Sequence, residues 1–425
     1  MLIYFGVENF GSINGEQTLS LVASNYYHDL EDNVVDPALP GLSGVRLLRG
    51  AALYGPNASG KSTVIRAMRM LQMLVVESGA KGPEVSLPRN PFCLNVPRRA
   101  DPTKFFVSFV QAGVRYEYEV HYVSERVLFE GLSAYPRGRE QVWFERSWIA
   151  EANEYRWRRP AGNLKVSSEL LGMVRHNALV VSTGAQLNNP QLTRVHEWFA
   201  QTLKMLNLGA DSSALNPTFS AELLKNPSDR RARLLELIRH ADLGVVDATV
   251  EPMKPTTEML EELSRLVQPE LLAAIAESGL KISLGHQSDT DIVPIDFGAE
   301  SAGTQRVFAL AGPWLDILEH GYTAFIDELD ASLHPLLVKE LLRLVFSPAT
   351  NPKGAQVVFT THDPYLLASS TLRRDQVWLT EKDSHGATHV YPLSDYRPRP
   401  KESLINGYLA GRYGAVPMIP TGLGI

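Results

Sequence analysis

The octapeptide Gly55-Pro56-Asn57-Ala58-Ser59-Gly60-Lys61-Ser62 constrains this chain more than any other feature. It matches G-x-x-x-x-G-K-[ST], and its flanks give it the required setting. An apolar run, Gly50 to Tyr54, reads as a strand before it, and Lys61 to Val76 carries apolar residues at helical spacing after it. The glycines let successive backbone N–H groups turn inward around phosphate oxygens, and the positive end of the helix adds to the cradle. Gly55, Asn57, Ala58, Ser59, Gly60 and Thr63 are its expected wall. Lys61 is expected to reach the β- and γ-phosphates of ATP, and Ser62 to hold Mg2+ through its hydroxyl.

Length and composition set the frame for that loop. A chain of 425 residues, 44% hydrophobic and 21% charged, has the balance of an ordinary soluble protein and room for two or three domains or one core with insertions. The single cysteine, Cys93, has no partner for an intramolecular bridge and is expected to be a small buried hydrophobe. That fits a reducing cytoplasm. Met1 to Phe10 has no signal-peptide pattern, and no apolar run approaches the ~20 residues that cross a bilayer, so no membrane association is expected. A net charge of −6 gives no bulk attraction to nucleic acid. Arg98-Arg99, Arg156 with Arg158-Arg159, Arg230-Arg231 with Arg233, and Arg397 to Lys401 lie near acidic residues and read as solvated faces. Local contact with nucleic acid stays open.

Strands are expected at Leu2 to Val7 and Gln17 to Val22, with a loop over Ser24 to Gly44. From Phe105 to Trp148, β-branched and aromatic runs separated by Gly and Pro read as an antiparallel meander. A strand at Ala178 to Ser182 and a helix from about Gln191 to Leu206 follow. Asn207 to Gly279 reads as mainly helical, clearest at Ser228 to His240 and Thr257 to Ser278, without sustained heptads. Lys281 to Ile295 resembles a hairpin. Then come a helix after Ser301, a strand at Thr323 to Ile326, a helix after Pro335 and a strand at Gln356 to Thr360. The expected class is α/β: a P-loop head with an antiparallel β subdomain and a helical insertion. The expected parts are 1–206 (N-terminal lobe), 207–279 (insertion), 280–400 (C-terminal lobe) and 401–425 (helix and tail).

Four further segments complete a chemical pattern. Ala324-Phe325-Ile326-Asp327-Glu328 is an apolar strand ending in two acids. Beside a P-loop, Asp327 is expected to hold Mg2+ and Glu328 to polarise the attacking water as general base. Glu300 to Arg306 puts Ser301 and Gly303 at a helix start, which can cradle an anion or simply cap the helix. Asp330, in Leu329 to Pro335, reads either as a helix N-terminal acid or as a signal across a dimer. In Thr360-Thr361-His362-Asp363, His362 ends a strand and could hydrogen-bond the γ-phosphate or the attacking water. Asp289-Thr290-Asp291 reads as a hairpin turn rather than a metal site.

The order of these segments resembles an ABC-type ATPase head, within it the SMC, RecF and overcoming-lysogenisation-defect branch. Phe5 to Ile13 is similar to that branch's opening strand and turn, and Asp327 to Pro335 to the Walker B and D-loop of bacterial AAA-15 and AAA-21 members. Asn188-Asn189 after Ala185-Gln186 and the tail Tyr408 to Pro417 extend the likeness. The resemblance implies that Ser301 to Gln305 is the signature, with Ala302 and Thr304 departing from the commonest Ser-Gly-Gly-Gln form. It also implies Gln186 as a Q-loop glutamine on Mg2+, a position where an ordinary loop glutamine fits as well.

In such heads the signature of one subunit completes the ATP site of another, so the resemblance implies a homodimer closed around ATP and opened by hydrolysis. Overcoming-lysogenisation-defect proteins carry a C-terminal Toprim nuclease. About sixty residues follow His362, too few for that domain, and any effector nuclease or toxin is expected to be a separate chain. Similar stand-alone ATPases occur in anti-phage and abortive-infection systems, which makes a defence sensor or regulator the expected function. The competing expectation is a RecF- or SMC-like repair ATPase that binds DNA directly, and a third is an ATP-gated scaffold.

Overall fold

The computed structural model describes residues 1–158, 162, 164–208, 216–241, 244–252, 280–368, 371–399 and 402–417. The chain packs as two units. One comprises Met1–Asn207, His320–Asp330 and Val338–Ile425; the other comprises Leu208–Glu319 and Ala331–Leu337.

The first unit begins with the antiparallel pair β1 (Leu2–Glu8) and β2 (Gln17–Ser20). Strand β3 (Gly50–Tyr54) then runs into the phosphate loop and α1 (Lys61–Glu77). Five antiparallel strands follow: β4 (Thr103–Gln111), β5 (Val114–Tyr122), β6 (Val127–Tyr135), β7 (Gln141–Ile149) and β8 (Glu154–Arg158). They join the first pair in one sheet, ordered β8-β7-β6-β5-β4-β1-β2. In β5, Tyr116, Tyr118, Val120 and Tyr122 are buried while the polar residues between them are not, the period of two that a one-faced sheet requires. The meander was expected; β6 and β8 were not, because Glu130 and Gly131 interrupt one and charge dominates the other.

Two expectations beyond the meander are corrected. Ala178 to Ser182 is not a strand but leads into helix α2 (Val180–Gln186). Its β-branched residues suggest extension, yet the buried Glu130 carboxylate accepts Val180 N–H at 2.8 Å and Val181 N–H at 3.3 Å. A carboxylate fifty residues away caps the helix start, which no local pattern can reveal. The helix that follows, α3 (Pro190–Glu197), ends early in a π-helical turn at Trp198–Thr202. Residues Leu203–Asn207 then form β9, a strand.

The second unit contains α4 (Thr218–Leu224), α5 (Asp229–His240) and the antiparallel strands β10 (Val245–Pro252), β11 (Leu280–Gln287) and β12 (Ile292–Asp296). Asp289 and Asp291 lie in the β11–β12 turn, as expected. Strand β10 is an extended element within the insertion read as mainly helical, whereas the helix expected at Thr257 to Ser278 lies outside the described residues. Helix α6 (Ala302–His320) starts directly after Ser301.

In the first unit again, β13 (Thr323–Asp327), β14 (Gln356–Thr360), β15 (Val377–Lys382) and β16 (Thr388–Pro392) complete a six-stranded sheet, β9-β13-β14-β3-β15-β16. Every pairing is parallel except β15 with β16. Parallel strands covered on both faces carry continuous apolar runs, and β3 and β14 are buried throughout. The consequence for chemistry is positional: β14 stands between the strand that feeds the phosphate loop and the strand that ends in Asp327. Buried Gln356 ties the two sheets together, its amide accepting Leu2 N–H and donating to the Leu2 and Leu48 carbonyls. The α1 face Val64, Met68, Leu71 and Val75 packs into the core between them, and Leu71→Ala there would cost ~2–5 kcal/mol.

Candidate functional site

Three backbone positions shape the phosphate loop. Gly55 has φ +155°, Ala58 φ +61° and Gly60 φ +110°. A Cβ on Gly55 would meet the Thr380 carbonyl at 2.3 Å, and one on Gly60 would meet Thr388 Oγ1 at 2.2 Å, so both glycines are required by contact as well as by angle. Hydroxyls from β15 and β16 strap the loop in place. Ser59 Oγ lies 2.6 Å from Thr380 Oγ1, while Thr388 Oγ1 donates to the Ser59 carbonyl at 2.8 Å and lies 2.7 Å from Ser12 Oγ. The loop is therefore preorganised by strands more than 300 residues away in the chain. Lys61 is 6% exposed, and its Nζ donates to the Gly55 carbonyl at 2.8 Å and to that of Pro56 at 3.0 Å. Burial pushes its ammonium down to about 8, against the pull of Asp327, Asp330 and Glu328.

The acidic end is assembled at the carboxyl ends of β13 and β14. Ser62 Oγ donates to Asp327 Oδ1 at 3.0 Å, and Thr360 Oγ1 donates to the same oxygen at 2.7 Å. Ser62 thus spends its proton on the carboxylate and keeps its oxygen lone pairs for a cation. One carboxylate and one hydroxyl, with phosphate oxygens and water completing the shell, is the donor set Mg2+ prefers, so these residues fit the ion. Glu328 follows at φ +55°, a left-handed conformation that costs a non-glycine residue about 1–3 kcal/mol. Asp330 Oδ2 accepts the His362 backbone N–H at 3.0 Å. Burial, then Lys61, lowers the His362 pKa, which keeps the imidazole neutral at neutral pH. Glu328, Thr360 and His362 share with the phosphate loop a cavity of about 720 Å³.

A protein-family model described as "AAA domain, putative AbiEii toxin, Type IV TA system" matches residues 51–368, about three quarters of the chain. The chain belongs to this family. It is an ATP-binding P-loop ATPase domain of the AAA type, and such domains take ATP with Mg2+. Among solved structures it is similar to an SMC head domain from Thermotoga maritima, at 12% identity, with 92% of this chain and 98% of that one covered and a TM-score of 0.40. It is also similar to the Smc head domain with an extended coiled coil, bound to the C-terminal domain of ScpA, derived from Pyrococcus furiosus. There identity is 13%, coverage 93% and 97%, and the TM-score 0.39. No curated protein matches the chain.

In this AAA-family chain the structure brings Gly55 to Thr63, Asp327, Glu328, Asp330 and His362 into one neighbourhood of the first unit. Ser301 and Gly303 lie in the second unit, at the exposed start of α6. Ser301 Oγ accepts Thr304 N–H at 3.1 Å, and Gln305 Nε2 donates to the Phe297 and Glu300 carbonyls.

Gln186 is a correction. It sits at the end of α2, and with its amide oriented to satisfy both atoms it donates to the Gly79 carbonyl and accepts Ala80 N–H, each at 2.8 Å. Those residues follow the far end of α1, roughly 25 Å of helix from Ser62 at 1.5 Å per residue. It is a structural clamp there, not a metal ligand. Cys93 is a second correction: it is exposed and lines the cavity, because Asn90 to Leu94 folds over the phosphate loop.

The remaining wall went unread in the sequence: Gly11, Ser12, Arg66, Lys382 and Gly386. Only Phe5 to Ile13, picked out as an opening strand and turn, pointed near it. Among the described residues no helix is long and apolar enough to cross a membrane.

Proposed function

We propose that this protein is an ATP-hydrolysing switch that dimerises around ATP, and that it serves as the sensor or regulator of an anti-phage, abortive-infection type system with a separate effector nuclease or toxin. The observation that carries the hydrolytic part is the junction of Ser62, Asp327 and Glu328: a cation seat whose neighbour carboxylate lines the nucleotide cavity. Lys61 anchors the terminal phosphates, Ser62 and Asp327 hold Mg2+, and Glu328 accepts the proton of the attacking water. Neutral His362 donates to the γ-phosphate or positions that water. Ser301 and Gly303 act on the ATP of a second copy, which agrees with the exposure of Ser301 at the start of α6.

The defence role rests on the family description, which names an AbiEii-type toxin and a type IV toxin–antitoxin system. The AAA domain would report ATP state to the effector through opening and closing of the dimer. The test has two parts. The purified chain should hydrolyse ATP with Mg2+ and lose this in Lys61→Ala. Expressed with its genomic neighbours, it should co-purify with an effector and release it on phage infection. Turnover stimulated by DNA, with no partner retained, would instead support a repair ATPase.

A further inference from the structure

Thr360 is the last residue of β14 and is fully buried, yet it holds three consecutive residues, the last of β13 and the first two of the turn after it. Its Oγ1 donates to Asp327 Oδ1 at 2.7 Å and accepts Glu328 N–H at 2.7 Å. Its carbonyl accepts Leu329 N–H at 3.1 Å. Glu328, in the middle, has φ +55°, a conformation non-glycine residues keep only where their surroundings over-determine it. Hydrogen bonds on its own N–H and on the next one do that.

The chemistry of the hydroxyl matters as much as its position. A threonine has one proton and two lone pairs. Here the proton goes to the carboxylate, and a lone pair takes the backbone N–H of the residue carrying the neighbouring carboxylate. Valine has the same shape and can do neither.

Resting on the ATPase reading above, we propose that Thr360 is a positioning residue. It orients Asp327 toward the cation and holds Glu328 in its left-handed turn, aimed into the cavity, without touching nucleotide itself. The order of strands makes this arrangement available: β14 lies beside β13, so its last hydroxyl reaches across one strand spacing to the Asp327 carboxylate and the Glu328 backbone N–H. His362 stands two residues further on and binds Asp330 through its backbone N–H. The end of β14 therefore grips residues 327 to 330 at four points.

Thr360→Val and Thr360→Ser test this in the full-length protein with a fluorescent ATP analogue, Mg2+ titration and steady-state turnover. A threonine that only fills the core predicts lower melting temperature and nothing specific to the metal. A positioning threonine predicts that Thr360→Val binds the analogue in EDTA within about threefold of wild type. The same variant should need roughly 10–100-fold more Mg2+ to tighten binding, with kcat falling by a similar factor. Thr360→Ser keeps both bonds and should recover to within about threefold.

Wild-type Mg2+ response and kcat in Thr360→Val, or a serine variant as impaired as the valine, would overturn the proposal and leave the ATPase reading standing. A wild-type protein that shows Mg2+-tightened binding but no turnover would defeat hydrolysis alone; the Mg2+ titration still decides Thr360. Absence of nucleotide binding in the wild type would defeat both.

Discussion

The phosphate loop and the signature segment are both glycine-containing helix starts, and they are built in opposite ways. Around Gly55 to Ser62, the serines are tied to distant parts of the chain, Ser59 to Thr380 and Thr388 and Ser62 to Asp327, while Lys61 is held by the loop's own carbonyls. Around Ser301 to Gln305, the side-chain bonds close on the segment itself. Ser301 caps its own helix and Gln305 folds back on Phe297 and Glu300. The first region is preorganised by the fold and lines a cavity; the second closes on itself and leaves Ser301 exposed. On the proposed reading, the first is the binding half of a site and the second is the half offered to another copy.

That contrast can be broken at either end. The largest effect belongs to Lys61→Ala. Removing a buried charge that must face a triphosphate costs about 2–5 kcal/mol or more, so nucleotide binding, read by equilibrium titration, should fall below detection at micromolar protein. Retained binding would mean the loop holds phosphate without its lysine. Glu328→Gln comes next: turnover should drop ~10²–10⁴-fold while nucleotide affinity changes little. An unchanged rate would remove Glu328 from the chemistry.

Gly303→Glu attacks the other half. A Cβ there lies 3.4 Å from the Ser332 carbonyl, an ordinary contact, so the segment should tolerate the residue. The added charge would face a partner's triphosphate, and like-charge juxtaposition costs several kcal/mol, so turnover should fall ~100-fold with single-chain nucleotide affinity intact. Equal turnover would put the signature outside the site. The smallest effect is on pH. With Lys61 at about 8, below the usual lysine value, the free protein loses its ammonium as pH rises past that point, and binding a triphosphate must restore it. Affinity should be flat below pH 8 and weaken about tenfold per unit above it, with proton uptake visible as a buffer-dependent binding enthalpy at pH 9. Proton release instead would contradict the sign.

What could be read from the sequence follows from how local each feature is. The phosphate loop, the Asp327-Glu328 strand end and most parallel strands are written in consecutive residues, and they appear where expected. The extended look of Ala178 to Ser182 failed because a distant carboxylate, Glu130, makes it a helix start. Gln186 has the residue type of a metal ligand, but α2 carries it to the far end of α1. The wall from Asn90 to Leu94, with exposed Cys93, exists only because the segment after α1 returns over the loop. Thr360 looked like one more apolar-strand terminus. Its role emerges only when β14 is placed beside β13.

The central claim is that two copies share each ATP site. The most direct measurement is the solution mass of Glu328→Gln by sedimentation velocity, with and without ATP and Mg2+. A monomer of 47.1 kDa should double in mass on adding nucleotide and return to monomer when Gly303→Glu is introduced into the same variant. A mass unchanged at saturating nucleotide, or a dimer indifferent to Gly303→Glu, would contradict the account.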